Sequence, residues 1–170
     1  AGNMLFLWVL GDNVEDAMGH KRFIAFYLVC GIAAAFAHAT VDPGSRIPMI
    51  GASGAISGVI GAYLMLHPKA RIKVLISYFL VWLPAYVVLG FWIGFQFFSA
   101  AMAAGGTGGG VAWWAHIGGF IAGVALIVPM KRKNVALFDR GLKRFTLRPG
   151  ASRRTRIPKS GHSGPKGPWS

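Results

Sequence analysis

Apolar stretches alternate with short polar segments along most of the chain. Five of them have the length and composition of membrane-embedded helices, at about residues 3–18, 23–39, 51–66, 72–99 and 112–130. No Asp, Glu, Lys or Arg occurs from Val74 to Pro129. A soluble domain of 170 residues cannot cover so long an uncharged stretch, whereas a bilayer accommodates two crossings of it. The pattern therefore predicts an all-α, polytopic transmembrane helix bundle.

Proline and glycine mark the interruptions of this pattern. Pro43, Gly44 and Pro48 indicate an irregular connector before the third helix, and residues 105–110 indicate a glycine-rich loop before the fifth. Pro84 is expected to kink the fourth helix. We therefore expect a membrane core over residues 1–130 and a basic tail over residues 131–170, the tail being disordered from about Pro149.

The net charge of +13 is distributed unevenly. Of the 18 Lys and Arg residues, 12 lie at or beyond Lys131, and most others lie in loops 19–22 and 67–73. The alternate loops contain only Arg46. This asymmetry predicts that the basic loops and the tail are cytoplasmic, as in a multi-pass protein of a bacterial inner membrane. Charge confined to loops and tail is a topology signal that also suits the lipid bilayer as a partner, so nucleic-acid binding is not predicted.

Ser53 lies at the start of the unusually short third helix. Sixteen residues rise only ~24 Å, less than the ~30 Å hydrocarbon core. The outer end of this helix is therefore expected below the outer membrane surface, inside a cavity. The unpaired N–H groups of a helix start can stabilise an oxyanion that forms when Ser53 attacks a carbonyl. The small residues Gly51 and Ala52 leave room for a substrate backbone.

His116 is the candidate general base. It is the residue of the uncharged stretch that titrates near neutral pH, and it is expected about four residues inside the fifth helix. Small-residue faces, Gly54-x-x-x-Gly58 on the third helix and Gly119-x-x-x-Gly123 on the fifth, permit close approach. We therefore expect a Ser53–His116 dyad. Asp42 is the one nearby carboxylate, and His38 at the outer end of the second helix is the competing base.

Other chemistries find less support in the sequence. Cys30 is the only cysteine, so the chain forms no internal disulfide or cysteine metal cluster, and no cofactor or metal is predicted. A channel or transporter subunit with His116 in a polar path is disfavoured by the lack of intramembrane carboxylates. A soluble α/β-hydrolase is excluded by the absence of strand patterns and by Ala55, where its nucleophile motif requires glycine.

Three blocks of sequence, in order, resemble the rhomboid intramembrane serine proteases. The resemblance covers about residues 2–130. Its blocks are Gly2-Asn3-Met4-Leu5-Phe6-Leu7-Trp8 with Gly11-Asp12-Asn13-Val14-Glu15, then Gly51-Ala52-Ser53-Gly54, then Ala115-His116-Ile117-Gly118-Gly119. Gly-Ala-Ser-Gly alone is a weak motif, whereas the ordered set is strong.

The resemblance implies a rhomboid-like six-helix core of which this chain lacks the first helix and the start of the second. It implies that Asn3 and the Ser53 backbone N–H stabilise the oxyanion. Many family members carry an aromatic residue four positions after the serine, which stacks on the histidine; here that residue is Ser57, so the support of the His116 ring is left open. The implied reaction is hydrolysis of peptide bonds in or near transmembrane segments of membrane-protein substrates, without metal or cofactor. The alternative is an inactive rhomboid-like protein that binds membrane clients.

Overall fold

The computed structural model describes residues 2–41, 43–44, 52–104 and 112–138. Within these ranges the chain forms six α-helices, one π-helical segment and one two-stranded sheet. In chain order the elements are α1 (Gly2–Phe6), the π-helix (Leu7–Gly11), α2 (Asp12–Met18), α3 (His20–Val41), α4 (Ala52–Leu66), β1 (Arg71–Ile76), β2 (Phe79–Pro84), α5 (Ala85–Ala104) and α6 (Trp113–Met130). The structure is mostly helical, as the apolar pattern predicts.

The N-terminal helical segment ends at a glycine-dependent turn. Leu10, Val14 and Met18 are buried on one side of this segment. Gly19 then adopts φ +93°, a backbone conformation that residues with a Cβ rarely adopt, and this turn separates α2 from α3. The Arg132 guanidinium lies against Gly19, so a side chain there would also meet it.

Three helices are long and apolar enough to cross a membrane: α3, α5 and α6. Many of their large apolar side chains are exposed, including Phe36, Phe91 and Ile121, as expected for helices that contact lipid. Helix α4 has 15 residues and a length of ~22 Å, which confirms that it is short. Its residues from Gly54 to Tyr63 are buried, so α4 lies at the centre of the bundle. The chain is a multi-pass integral membrane protein.

Helices α4 and α6 are in direct backbone contact through glycines. A Cβ on Gly119 would overlap the Gly54 carbonyl oxygen, and a Cβ on Gly123 would overlap that of Gly58. Gly119 pairs with Gly54 and the later Gly123 pairs with the later Gly58, so the two helices run parallel. This confirms the predicted close approach of the two small-residue faces. Helix α3 packs on the same pair, where Gly54 meets Ala34.

The prediction that the fourth helix begins near Ile72 is wrong. Residues 71–84 form an antiparallel hairpin with Arg71 opposite Pro84 and Ile76 opposite Phe79. Helix α5 begins only at Ala85 and continues to Ala104. The physical reason is that Ile72–Leu83 is rich in β-branched and aromatic residues, which favour extended backbone, and Pro84 lacks the N–H needed within a helix. Pro84 therefore ends a strand rather than kinking a span.

The chain returns to the bundle after α6. The Arg132 backbone N–H donates to the Ala17 carbonyl at 2.8 Å, and that of Phe138 donates to the Met65 carbonyl at 2.8 Å. Residues 131–138 therefore connect the ends of α2, α4 and α6 on one side of the bundle. The predicted disorder of the tail from about Pro149 concerns residues outside those described.

Candidate active site

Ser53 is the second residue of α4, in the first turn of the helix. The helix begins at Ala52, one residue after the predicted start, and Ser53 is partly buried. The N–H groups of the first turn have no acceptor within the helix, and its dipole makes this end electropositive. Near the serine, the Tyr27 hydroxyl donates to the Ala52 carbonyl at 3.5 Å. Ser57, which is fully buried, donates to the Ser53 carbonyl at 2.8 Å.

His116 is the fourth residue of α6, as predicted, and is partly buried. It lies at the level of the α4 start. A Cβ on Gly54 would contact the Ala115 carbonyl at 3.6 Å, and the Gly54 carbonyl in turn lies against Gly119. Gly54, next to Ser53, is therefore at the same height in the bundle as Ala115 and Gly119, which lie on either side of His116.

Ser53 and His116 also lie on the same groove of the α4–α6 pair. On α4, Gly54 and Gly58 face α6, and Gly58 also contacts Cys30 of α3. At about 3.6 residues per turn, Ser53 lies on the side of Gly54 that faces away from α3. On α6, Gly119 faces α4 and Gly118 faces Ala37 of α3. His116 lies on the side of Gly119 that faces away from α3. Both side chains therefore emerge on the groove opposite α3. No hydrogen bond joins them within the part of the chain that the structure describes.

Gln96 of α5 covers His116 on this groove and was missed by the sequence analysis. Its side chain is 3% exposed. Its amide nitrogen donates to the Trp92 carbonyl at 3.4 Å, and its oxygen lies 2.8 Å from His116 Nδ1. Because the amide oxygen can only accept, this pattern assigns the proton to Nδ1 and leaves a lone pair on Nε2. The arrangement is the one in which an imidazole accepts a proton through Nε2.

Two indole rings complete the surroundings of the imidazole. The Trp92 centroid lies 5.9 Å from that of His116 in a tilted arrangement, and the Trp113 centroid lies 6.3 Å away in an edge arrangement. These distances are typical of favourable aromatic contacts. Position 57 carries a serine instead of an aromatic residue, and the aromatic contacts of the His116 ring come from Trp92 of α5 and Trp113 of α6. Trp92 of α5 thus contacts the candidate base.

The remaining predicted site residues have separate outcomes. Asn3 lies in α1 with an exposed side chain, and among the described residues no hydrogen bond links it to Ser53 or His116. Ala52 is the first residue of α4, whereas Gly51 and Asp42 lie outside the described residues. His38, the competing base, is 8% exposed and lies one helical turn beyond Ala34, on the α3 side of α4. It does not face the groove that Ser53 and His116 share.

Comparison with known proteins identifies the family. The family model of the rhomboid domain matches residues 1–133. The chain belongs to the rhomboid family. It is 35% identical over 129 residues to the rhomboid protease GluP of Bacillus subtilis, an alignment that covers 76% of this chain and 23% of the relative. No solved structure gives a significant match to the chain.

Mitochondrial rhomboid proteins are also similar. The chain is 32% identical over 131 residues to rhomboid protein 1 of Saccharomyces cerevisiae, covering 72% of this chain and 35% of the relative. It is 29% identical over 137 residues to the presenilin-associated rhomboid-like protein of Mus musculus, covering 73% and 32%. The chain therefore spans about a quarter to a third of the length of these relatives. This rhomboid chain aligns with both bacterial and mitochondrial members.

Proposed function

We propose that this rhomboid protein is an intramembrane serine endopeptidase, with Ser53 as nucleophile and His116 as general base. Its substrates are membrane proteins that it cleaves in or near their transmembrane segments. The observation that carries the proposal is the shared groove, in which Ser53 at the start of α4 is level with His116, whose Nδ1 is bound to Gln96 at 2.8 Å. A hydroxyl beside an oriented imidazole is a nucleophile pair that recurs on unrelated folds.

The proposed reaction proceeds through an acyl-enzyme. Ser53 Oγ attacks the carbonyl carbon of the scissile bond while His116 Nε2 accepts the hydroxyl proton. The imidazolium then donates that proton to the leaving amine, the C–N bond breaks, and an ester joins the substrate carbonyl to Ser53. Water, deprotonated by His116, hydrolyses the ester and restores the serine. Gln96 acts as a positioning residue, since it fixes the ring and the tautomer without touching substrate.

The start of α4 supplies the proposed oxyanion site. The Ser53 N–H belongs to the unpaired first turn, where the helix dipole favours a developing negative charge. Asn3 would add a side-chain donor, and the small residues Gly51 and Ala52 would admit a substrate backbone. The basic loops and the tail face the cytoplasm in this proposal, so the groove opens towards the opposite side of a bacterial inner membrane.

The direct test uses the full-length protein that contains this chain, reconstituted in liposomes with a fluorogenic transmembrane substrate. Ser53→Ala and His116→Ala are each expected to lower kcat roughly a thousandfold or more, because each removes one member of a pair that acts as a unit. A fluorophosphonate probe, which labels activated serines, is expected to label the wild type and not Ser53→Ala.

The matched control is His20→Ala, since His20 is exposed, is bound to Glu15 at 2.6 Å and lies outside the groove. It should retain wild-type turnover. Wild-type turnover in Ser53→Ala or His116→Ala would overturn the dyad. A wild type that binds a membrane client but neither cleaves it nor reacts with the probe would identify the inactive, client-binding alternative instead.

A further inference from the structure

The hairpin between α4 and α5 is a surface that the proposed protease reaction does not use. Its strands Arg71–Ile76 and Phe79–Pro84 pair over six positions and are joined by Ser77 and Tyr78. Both turn residues have positive φ, 44° and 74°. Such a turn normally selects Asn or Gly, because a left-handed conformation is unfavourable for a residue with a Cβ. The turn thus presents a tyrosine side chain at the tip, at a position where the backbone favours smaller residues.

The base of the hairpin is fixed to the ends of two membrane helices. The Ala85 N–H donates to the Ala70 carbonyl at 2.7 Å, and the Tyr86 N–H donates to the Pro68 carbonyl at 2.9 Å. Helix α4 ends at Leu66 and α5 begins at Ala85. Because these helices lie in the membrane, the hairpin starts at the membrane boundary, on the same side as the basic residues that follow α6.

The hairpin is basic near its base and apolar at its tip. Arg71 and Lys73 are exposed on one face, and the Lys73 ammonium lies 5.6 Å from the Trp82 ring centroid. Beyond them, apart from Ser77, the exposed side chains at the tip are apolar or aromatic: Leu75, Tyr78, Phe79 and Leu80, with Tyr78 96% exposed. An exposed apolar cluster of this kind is unfavourable in water and marks a binding surface.

Backbone hydrogen bonding limits where this surface can lie. A two-stranded sheet leaves the outer edge of each strand unpaired, which excludes it from the hydrocarbon core, and an isolated hairpin is only marginally stable in water. The interface between headgroups and acyl chains satisfies both requirements, because it offers polar partners for the edges and apolar contact for the tip. Tyr and Trp side chains favour this layer.

A groove beside the hairpin matches the chemistry of one lipid class. It has a volume of about 290 Å³, lies between the N-terminal helix, β1 and α5, and is lined by apolar residues with Lys73 among them. Its lining includes Phe6, Val9, Val74 and Val88. An apolar groove with a single cation suits an acyl chain below a phosphate headgroup. Basic residues at a membrane surface attract anionic lipid.

We propose that residues 71–84 form a membrane-docking hairpin that binds anionic phospholipid. The tip formed by Leu75, Tyr78, Phe79 and Leu80 inserts at the headgroup–acyl boundary, and Arg71 and Lys73 bind lipid phosphates. This binding site is separate from the Ser53–His116 groove and does not depend on proteolytic activity.

The test measures the depth of the tip in lipid nanodiscs that each hold one copy of the full-length protein. Native cysteines are replaced, including Cys30→Ala, and an environment-sensitive fluorophore is attached at Tyr78→Cys. The matched control is Asn134→Cys, an exposed position after α6. Brominated lipid is expected to quench the Tyr78→Cys label several-fold more than the control label, whereas aqueous iodide should show the reverse order. Equal iodide quenching at both positions would overturn the proposal.

Lipid charge is tested by comparing nanodiscs of phosphatidylcholine with nanodiscs containing one-third phosphatidylglycerol. Quenching by brominated lipid should increase with the anionic lipid, and the Arg71→Gln/Lys73→Gln double variant should lose that increase. The melting temperature of each variant checks that the bundle is folded. Lipid quenching that does not depend on phosphatidylglycerol would overturn the anionic-lipid assignment. A label shielded from both quenchers would also overturn it, because the tip would then contact protein.

Discussion

His116 obtains its orientation from a neighbouring helix rather than from a carboxylate. Its Nδ1 lies 2.8 Å from the oxygen of Gln96, and Trp92 from the same helix lies beside the ring. A neutral amide fixes the tautomer without bringing a charge into the membrane, where a carboxylate would be costly. Among the described residues, the proposed base is therefore held in position by hydrogen bonding and ring contacts.

Gln96→Met tests this role, since methionine preserves length and apolar packing but removes the acceptor. A hydrogen bond of this type contributes roughly 1 kcal/mol, so kcat should fall about fivefold while KM and the melting temperature stay nearly unchanged. Gln96→Glu retains an acceptor oxygen and should keep more of kcat than Gln96→Met, but it should lower the melting temperature because a carboxylate is costly within the membrane. Loss of melting temperature in Gln96→Met with an unchanged kcat in the folded fraction would indicate a packing role instead.

The sequence identified some site residues and not others for clear reasons. Ser53 and His116 could be located because helix ends and a lone titratable residue in an uncharged stretch are visible in the residue pattern. Gln96 is uncharged and lies in an otherwise apolar run, so it did not attract attention. It is nevertheless the only glutamine of the chain, and a polar amide within a predicted span requires a partner. Its pairing with His116 depends on how α5 packs, which the sequence does not reveal.

At the scale of elements, α4 and α6 are held together by backbone contacts at glycines. Gly119 and Gly123 lie against the carbonyls of Gly54 and Gly58, so any side chain would separate the helices. Close packing of this kind is a main source of association between membrane helices, which gain little from the hydrophobic effect within lipid.

Gly119→Ala is expected to destabilise the bundle by about 1–3 kcal/mol, the usual range for overpacking. The matched control is Gly94→Ala in α5, where an added Cβ meets nothing within 4 Å. This change should leave stability within about 0.5 kcal/mol of wild type. Thermal unfolding in detergent micelles measures both. Equal melting temperatures for the two variants would argue against the glycine contact.

The hairpin shows where sequence patterns lose information. Residues 72–84 are uncharged after Lys73 and continue directly into α5, so the run has the length and hydropathy of one tilted span. A membrane span and a hairpin that lies on the membrane both require apolar residues, and hydropathy does not separate them. The β-branched and aromatic residues before Pro84 were the available signal, and they favour strands.

At the scale of the whole molecule, the segment after α6 joins helix ends that are distant in sequence. Arg132 binds the end of α2 and Phe138 binds the end of α4, each through its backbone N–H. In addition, the Arg22 side chain donates to the Met130 carbonyl at 3.3 Å. We therefore propose that the stable core extends to about residue 138, whereas composition places the boundary at 130.

Two truncations distinguish these boundaries. A chain ending at Phe138 retains both backbone hydrogen bonds, so its melting temperature should lie within a few degrees of that of the chain with its whole tail. A chain ending at Met130 loses both, together with the partly buried Val135 and Leu137, and should be less stable by roughly 1–3 kcal/mol. Melting temperature and protease resistance in micelles measure the difference. Equal stability of the two truncated chains would mean that the folded core ends at residue 130.

The attachment of Gln96 to His116 has a consequence for access to the groove. Helices α4 and α6 meet backbone to backbone and cannot separate by side-chain rearrangement. Helix α5 instead meets the site through the Gln96–His116 hydrogen bond and two ring contacts, Trp92 with His116 and Phe95 with Trp113. A molecule that entered between α5 and α6 would therefore break the bond that orients the imidazole. His116 would then be misoriented while a molecule enters. It would regain the orientation needed to accept a proton only after α5 had returned and the Gln96–His116 hydrogen bond had re-formed.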